Sequence, residues 1–272
     1  MKKKIGIYGF TGCAGDQLTI IHSEDRLVPF FDKAEIVSFS MATSNNNDEV
    51  ELDIAFVEGS ITTNKQREEL LEIRKRSKIL VAIGTCACFG GLQSMKLGEK
   101  GYRERLERVY GKKKITIGKG TFESEPLNTF VKVEYFIPGC PISADQFFSA
   151  FTKLINDFRP TPYSFALCTE CKWYENQCLL VEKHLPCLGP VTQAGCGAIC
   201  PKHGIPCVGC WGPVDEANIA SESKLLRDIG LSPEEITRRL RMFGGKTGME
   251  LLKKFTKNEK AKKRREAKGK KQ

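Results

Sequence analysis

The sequence predicts an α/β fold: a doubly wound parallel sheet followed by a small cysteine-rich unit with little regular structure. Three observations carry this expectation. Five short apolar runs alternate with amphipathic stretches across the first 160 residues. One of them, residues 79–84 (ILVAIG), is apolar without interruption, as a strand buried on both faces should be. Eight of the twelve cysteines crowd into residues 168–210, where apolar periodicity is lost.

The strand candidates follow one another at 4–8 (KIGIY), 36–40 (IVSFS), 52–58 (LDIAFVE), 79–84 and 133–137 (VEYFI). Helices are expected over 63–76 and 144–158. In the second, Phe147, Phe148, Phe151, Leu154, Ile155 and Phe158 recur at helical spacing, a stripe that reads as core rather than cofactor box. Strands alternating with helices imply a parallel sheet, and five strands suggest a flavodoxin-like order. Arg159-Pro160-Thr161-Pro162 marks a boundary. The expected division is a first domain over 1–160, a cysteine-rich domain over 161–225, and a helix with a basic tail over 226–272. Ser232-Pro233-Glu234-Glu235 starts that helix, with Ser as N-cap, Pro at the first helical position and Glu at the third. Gly244 and Gly245 stop it.

The formal net charge of +10 belongs to the tail. Residues 253–272 hold eleven Lys or Arg and two Glu, whereas the rest holds 32 basic and 31 acidic groups. Such a charge run without apolar periodicity reads as a solvated, disordered arm or loose helix. Phe255 is its only aromatic, so it offers no platform for stacking bases. The chain starts without a signal-peptide pattern, and no apolar run approaches the roughly 20 residues that span a bilayer. The expectation is a cytoplasmic protein with no membrane and no nucleic-acid partner, in a compartment where clustered thiols more often bind metal than pair as disulfides.

In doubly wound sheets, ligands bind beyond the carboxyl ends of the strands. Four loops at that edge bring a cysteine or a carboxylate: Phe10-Thr11-Gly12-Cys13, Glu58-Gly59-Ser60, residues 84–91 with Cys86 and Cys88, and Pro138-Gly139-Cys140-Pro141. Gly-rich, Cys-bearing loops suit a bulky metal cluster. Behind them come Cys168-x2-Cys171-x6-Cys178-x8-Cys187 and Cys196-x3-Cys200-x6-Cys207-x2-Cys210. Each group of four contains a Cys-x2-Cys pair and suits tetrahedral zinc or an iron–sulfur cubane, with disulfides a third reading. Pro186, Pro201 and Pro206, with Gly195, Gly197 and Gly209, favour iron–sulfur, because such residues let backbone N–H groups approach the sulfides.

Thr11-Gly12-Cys13, Val57-Glu58-Gly59, Gly84-Thr85-Cys86-Ala87, Phe89-Gly90-Gly91 and Pro138-Gly139-Cys140-Pro141, in that order, resemble the small subunit of nickel–iron hydrogenases. The related complex I subunit shares this domain but lacks the two four-Cys groups. The pattern is most similar to the delta subunits of archaeal sulfhydrogenases, the soluble NAD(P)-linked hydrogenases. The resemblance implies an electron-transfer subunit with three 4Fe–4S clusters in a line. It is paired with a nickel–iron large subunit that holds the catalytic site, and with iron–sulfur and FAD/NAD(P)-binding subunits in a heterotetramer. It implies Cys13, Cys86 and Cys140 as ligands of the proximal cluster. Phe10 stands where the family's first Cys would be, so the fourth ligand is assigned first to Glu58 and second to Cys88. The distal cluster would take Cys168, Cys171, Cys178 and Cys187, with Cys168 in place of the His of many relatives. The medial cluster would take Cys196, Cys200, Cys207 and Cys210. Polysulfide reduction is a family-level expectation.

The only histidines, His22, His184 and His203, form no metal-ligand pattern, and no phosphate loop or nucleophilic triad stands out. No catalytic residue is therefore assigned on this chain. Two other readings stay open: a relay in a deazaflavin- or quinone-linked complex, and a zinc-bearing nucleic-acid module whose arm is the basic tail.

Overall fold

The first strand, β1 (Lys3–Gly9), lies inside the sheet, and strands and helices follow it. They are α1 (Gly15–Ile21), α2 (Glu24–Lys33), β2 (Ala34–Phe39), β3 (Leu52–Glu58), β4 (Ile61–Thr63), α3 (Asn64–Lys75), β5 (Ser77–Ile83), α4 (Gly84–Phe89), α5 (Tyr102–Tyr110), β6 (Thr121–Glu125), β7 (Tyr135–Ile137) and α6 (Ala144–Ile155). The computed structural model describes residues 2–96, 101–111, 120–245, 247, 248 and 250. The basic tail expected at 253–272 lies outside the described residues.

Five strands form one parallel sheet in the order β2-β1-β3-β5-β7. This is the flavodoxin-like order expected from the alternation of strands and helices. The short β4 and β6 pair antiparallel beside it. The sheet is covered on both faces, and the period of two along each strand divides its side chains between them. Val81 and Ile83 join the layer of Phe30, Phe56, Phe147 and Phe151, while Leu80 and Ala82 join the layer of Val57, Leu70 and Ile73. That double burial is why the run at 79–84 could carry no polar residue.

The aromatic stripe on α6 is core, as expected, with Phe147 and Phe151 buried and the Phe30 and Phe151 rings 4.3 Å apart. Each such ring contributes about 1.5–3 kcal/mol on burial. Phe158 does not belong to it. The helix stops at Ile155, Asp157 takes a left-handed conformation, and Phe158 is left exposed beyond the end. Helix α2 was not expected, because Pro29 sits inside it. Helix α4 was not expected either: residues 84–91 read as a loop because of their glycines, yet 84–89 close into a short helix ended by Gly90 in the left-handed region.

The second half contains more regular structure than its composition suggests. It holds α7 (Leu167–Trp173), α8 (Ile199–Lys202), α9 (Ile219–Asp228) and α10 (Pro233–Leu240). Leu167, Leu180, Leu188, Val191, Ile219, Leu226 and Ile236 form its own apolar core. The expected division at 226 therefore falls inside α9, whose side chains share that core with the cysteine-rich segment. Helix α10 begins with a complete capping box, with Ser232 and Glu235 bonded reciprocally.

Candidate metal centres

The proximal group sits at the carboxyl edge of the sheet. The segment after β1 is pinned to the segment after β3 by Phe10 N–H to the Glu58 carbonyl (2.8 Å) and by the Thr11–Ser60 backbone pair (3.1 and 2.8 Å). This leaves Cys13 exposed ahead of α1. Cys86 lies in the first turn of α4, and Cys140 is exposed in the turn after β7. Burial pushes the Cys86 thiol up to about 11; Gln93 opposes this, while Cys140, Asp16 and Cys13 add to it. Cys140 is raised by burial, then by Asp16, Cys13 and Glu58. The three thiols thus share one electrostatic neighbourhood with two carboxylates.

Glu58 ends β3 and is only 2% exposed. Its two carboxylate oxygens accept the N–H groups of Asp16 (3.3 Å) and Gln17 (3.1 Å) in the first turn of α1. A carboxylate has about four lone-pair sites; these two N–H groups and the side-chain hydrogen bond with Asp16 take up to three of them. Asp16 accepts the Ile142 N–H at 2.8 Å, and burial followed by the Glu58 charge pushes its carboxyl up to about 7. Cys88 lies two residues from Cys86, and residues so spaced on a helix do not share a face. It is packed in the apolar layer with Val57, Leu70 and Leu127, and its thiol donates to the Ala82 carbonyl at 3.6 Å.

The distal group begins on α7, where Cys168 and Cys171 are three residues apart and so face the same way. Burial pushes Cys168 up to about 12, and Cys187, Cys171 and Cys178 each add to the rise, so these four thiols lie within electrostatic reach of one another. Asn176 donates to Cys171 Sγ at 3.8 Å. A Cβ added at Gly189 would stand 3.2 Å from Cys168 Sγ and 3.5 Å from Cys187 Sγ, so the backbone passes close to both thiols.

The group predicted to be medial is tied to the segment of Cys86 by the Thr85 hydroxyl on the Cys210 carbonyl. Burial pushes Cys210 up to about 12, and Cys196, Cys140 and Cys200 add to it. Cys207 is raised chiefly by burial, with Cys187 and Cys210 adding to it. Its backbone N–H donates to Cys187 Sγ at 3.3 Å, the direct link to the distal group. Gly209 N–H donates to Cys207 Sγ at 3.4 Å. The N–H groups of Gly195 and Gly197 instead go to the buried carboxylate of Glu170. His184 and His203 are exposed. Thr85, next to Cys86, donates its hydroxyl to the Cys210 carbonyl and accepts Gly139 N–H at 3.3 Å.

Among the described residues, no three His, Cys, Asp or Glu side chains are gathered as a single metal ion would need. By donor chemistry, the two four-thiol groups and the three-thiol group beside Glu58 fit iron–sulfur clusters. At Cys86, Cys140, Cys168, Cys187, Cys207 and Cys210, burial and neighbouring thiols oppose thiolate formation, and a bound cationic centre would stabilise the ionised ligands. Sequence reading assigned no role to Asp16, Thr85 or Glu170, although Thr85 stands in the Gly84-Thr85-Cys86-Ala87 motif and Glu170 inside a Cys-x2-Cys pair.

The chain matches the protein family described as NADH ubiquinone oxidoreductase, 20 Kd subunit, over residues 13–154. That span includes the proximal cysteines and precedes the two four-Cys groups. The chain is 37% identical over 240 residues to the sulfhydrogenase 2 subunit delta of Pyrococcus furiosus, covering 88% of this chain and 98% of that one. It is 30% identical over 168 residues to the NAD-reducing hydrogenase HoxS subunit delta of Cupriavidus necator, covering 57% and 79%. Its fold is similar to that in the solved actinobacterial-type nickel–iron hydrogenase of Ralstonia eutropha, with a TM-score of 0.58 at 18% identity, covering 94% of this chain and 90% of that chain.

Proposed function

The chain belongs to the NADH ubiquinone oxidoreductase 20 Kd subunit family, among the small subunits of hydrogenases, and from that premise we propose that it relays electrons through three iron–sulfur clusters. It is a hydrogenase subunit, and the catalytic site lies on another chain. The relay runs between the nickel–iron site of a large subunit and a flavin- and NAD(P)-binding subunit in the cytoplasm. It serves hydrogen oxidation or hydrogen evolution, with polysulfide as a further acceptor. The observation that supports this reading is a chain of hydrogen bonds between the three thiol-bearing segments. Thr85, beside Cys86, bonds the Cys210 carbonyl and the Gly139 N–H beside Cys140, and Cys207 N–H bonds Cys187 Sγ.

Iron–sulfur clusters, when bound, supply one-electron carriers whose potentials follow burial and hydrogen bonding to sulfur. The chain's own part is to hold the ligands and set those surroundings. Cys13, Cys86 and Cys140 with Glu58 would hold the proximal cluster. Cys196, Cys200, Cys207 and Cys210 would hold the medial one, and Cys168, Cys171, Cys178 and Cys187 the distal one. The name of the Cupriavidus relative supports NAD as the acceptor.

The test is anaerobic purification with iron, acid-labile sulfide, zinc and nickel measured together. Three cubanes predict about twelve iron and as much sulfide per chain, with nickel only when a larger subunit co-purifies. About two zinc per chain without sulfide would overturn the reading in favour of structural zinc sites. In the purified complex, reduction of a deazaflavin and not of NAD(P) by hydrogen would overturn the proposed acceptor alone.

A further inference from the structure

Glu170 sits on α7 between two proposed distal ligands, Cys168 and Cys171, and is 6% exposed. It reaches away from its own group. One carboxylate oxygen accepts Gly195 N–H at 2.9 Å, and the other accepts Gly197 N–H at 3.0 Å. These two residues flank Cys196, a proposed medial ligand. Both take positive φ, +130° at Gly195 and +67° at Gly197, and Ala198 follows at 50°. The loop is thus bent into a conformation that presents two donors to one carboxylate, and the carboxylate fixes where Cys196 stands. Gln146 closes the other side by donating its amide to the Gly195 carbonyl at 2.8 Å.

The same carboxylate thus stands beside both groups, next to Cys171 in the chain and bonded to both neighbours of Cys196. Among the ion pairs of the described residues, none includes Glu170. Its carboxylate is held by two backbone N–H groups and lies in the first turn of α7, in surroundings where a charge is felt more strongly than in water. A fixed negative charge between two electron carriers opposes the arrival of an electron at either. The N–H groups that could have stabilised added negative charge on the medial centre are already given to the carboxylate.

We infer that Glu170 is a positioning residue shared by the medial and distal clusters, holding the Cys196 loop and lowering the potentials of both. This rests on the reading that the two four-Cys groups hold iron–sulfur clusters. The test is EPR-monitored redox titration of the anaerobically purified complex carrying Glu170→Gln. The charge is removed and one acceptor oxygen stays. The expected result is that the medial and distal clusters each become at least tenfold easier to reduce, about 59 mV for a one-electron couple, while the proximal cluster keeps its potential. Glu170→Asp keeps the charge on a shorter arm and is expected to hold both potentials near wild type while the clusters are lost faster on warming.

Unmoved medial and distal potentials in the Gln variant would overturn the inference, as would an Asp variant that shifts as far as the Gln variant. If the Gln variant loses the medial cluster, the distal cluster still decides: a raised potential supports the inference and a wild-type potential overturns it. Absence of both clusters from the wild-type complex would instead overturn the reading on which it rests.

Discussion

Replacing Gly84 with alanine tests how the proximal edge is built. Gly84 follows β5 directly and has φ +79°, in the left-handed region where a Cβ costs about 1–2 kcal/mol. The added Cβ would also stand 1.7 Å from Asp16 Oδ2, inside any possible contact. Asp16 must move, and its other oxygen then gives up the Ile142 N–H it holds at 2.8 Å. A buried donor without a partner costs about 1–3 kcal/mol. The two terms together come to about 2–5 kcal/mol, a large part of the roughly 5–15 kcal/mol that holds an ordinary domain. Asp16 lies against Glu58 and three residues from Cys13, so the damage should centre on the proximal site. Gly230→Ala is the control: its φ is +97°, and a Cβ there would meet nothing within 4 Å, so only the backbone term applies. Thermal denaturation of the two variants should separate them by at least about 1 kcal/mol. Iron analysis should show Gly84→Ala losing about a third of its iron, four of about twelve, with Gly230→Ala at full content. A Gly84→Ala protein as stable and as iron-rich as the control would refute the reasoning.

Three further outcomes are expected. Thr85→Val removes the hydroxyl that serves the Cys210 carbonyl and Gly139 N–H, so stability should fall by about 2 kcal/mol in thermal unfolding; Thr85→Ser should stay near wild type, and a Val variant that matches wild type would refute the bridging role. Ser232→Ala removes half of the capping box on α10 and should cost about 1 kcal/mol, whereas Ser232→Gly should cost only a few tenths; equal losses would argue against the side-chain cap. Glu222 is 1% exposed with both carboxylate oxygens unpartnered, and burial pushes it from 4.5 up to about 7. The folded chain therefore keeps a proton that the unfolded chain releases, and stability falls as pH rises from 4.5 to about 7. Glu222→Gln should abolish that slope and be more stable above pH 7 by at most about 3 kcal/mol; an unchanged pH profile in Tm would refute it.

The sheet was legible because its strands carry the signature of burial. β3 was located to its ends, and the run at 79–84 showed double burial through its lack of polar residues. What stayed hidden depended on partners distant in sequence. Pro29 disguised α2, whose Phe30 is held by Phe147 and Phe151 more than a hundred residues away. Glycines disguised α4, whose start is made possible by the left-handed Gly84. The aromatic stripe of α6 was read one turn too far, since nothing in its periodicity announces that Asp157 turns the chain outward before Phe158. The small core of the second half escaped notice for a similar reason. Its leucines and isoleucines lack a common period and meet only because segments from Leu167 to Ile236 converge.

The same asymmetry governs the site. A cysteine announces itself, and spacing alone sorts eight of them into two groups of four. The carboxylates beside them do not announce themselves, because Asp, Glu and Thr are ordinary surface residues until a fold buries them. Glu58 was legible at the end of a strand, yet its grip on the first turn of α1 follows only from the packing of β3 against the segment after β1. Asp16, Thr85 and Glu170 share one property: each carries a side-chain oxygen that holds backbone beside a cysteine of another segment. Asp16 holds Ile142, two residues past Cys140; Thr85 holds Cys210 itself; Glu170 holds both neighbours of Cys196. Ligand thiols placed on loops need such fastening, since loops by themselves do not hold a geometry. Mutations at these oxygens should therefore alter the surroundings and retention of each proposed centre without removing any proposed ligand.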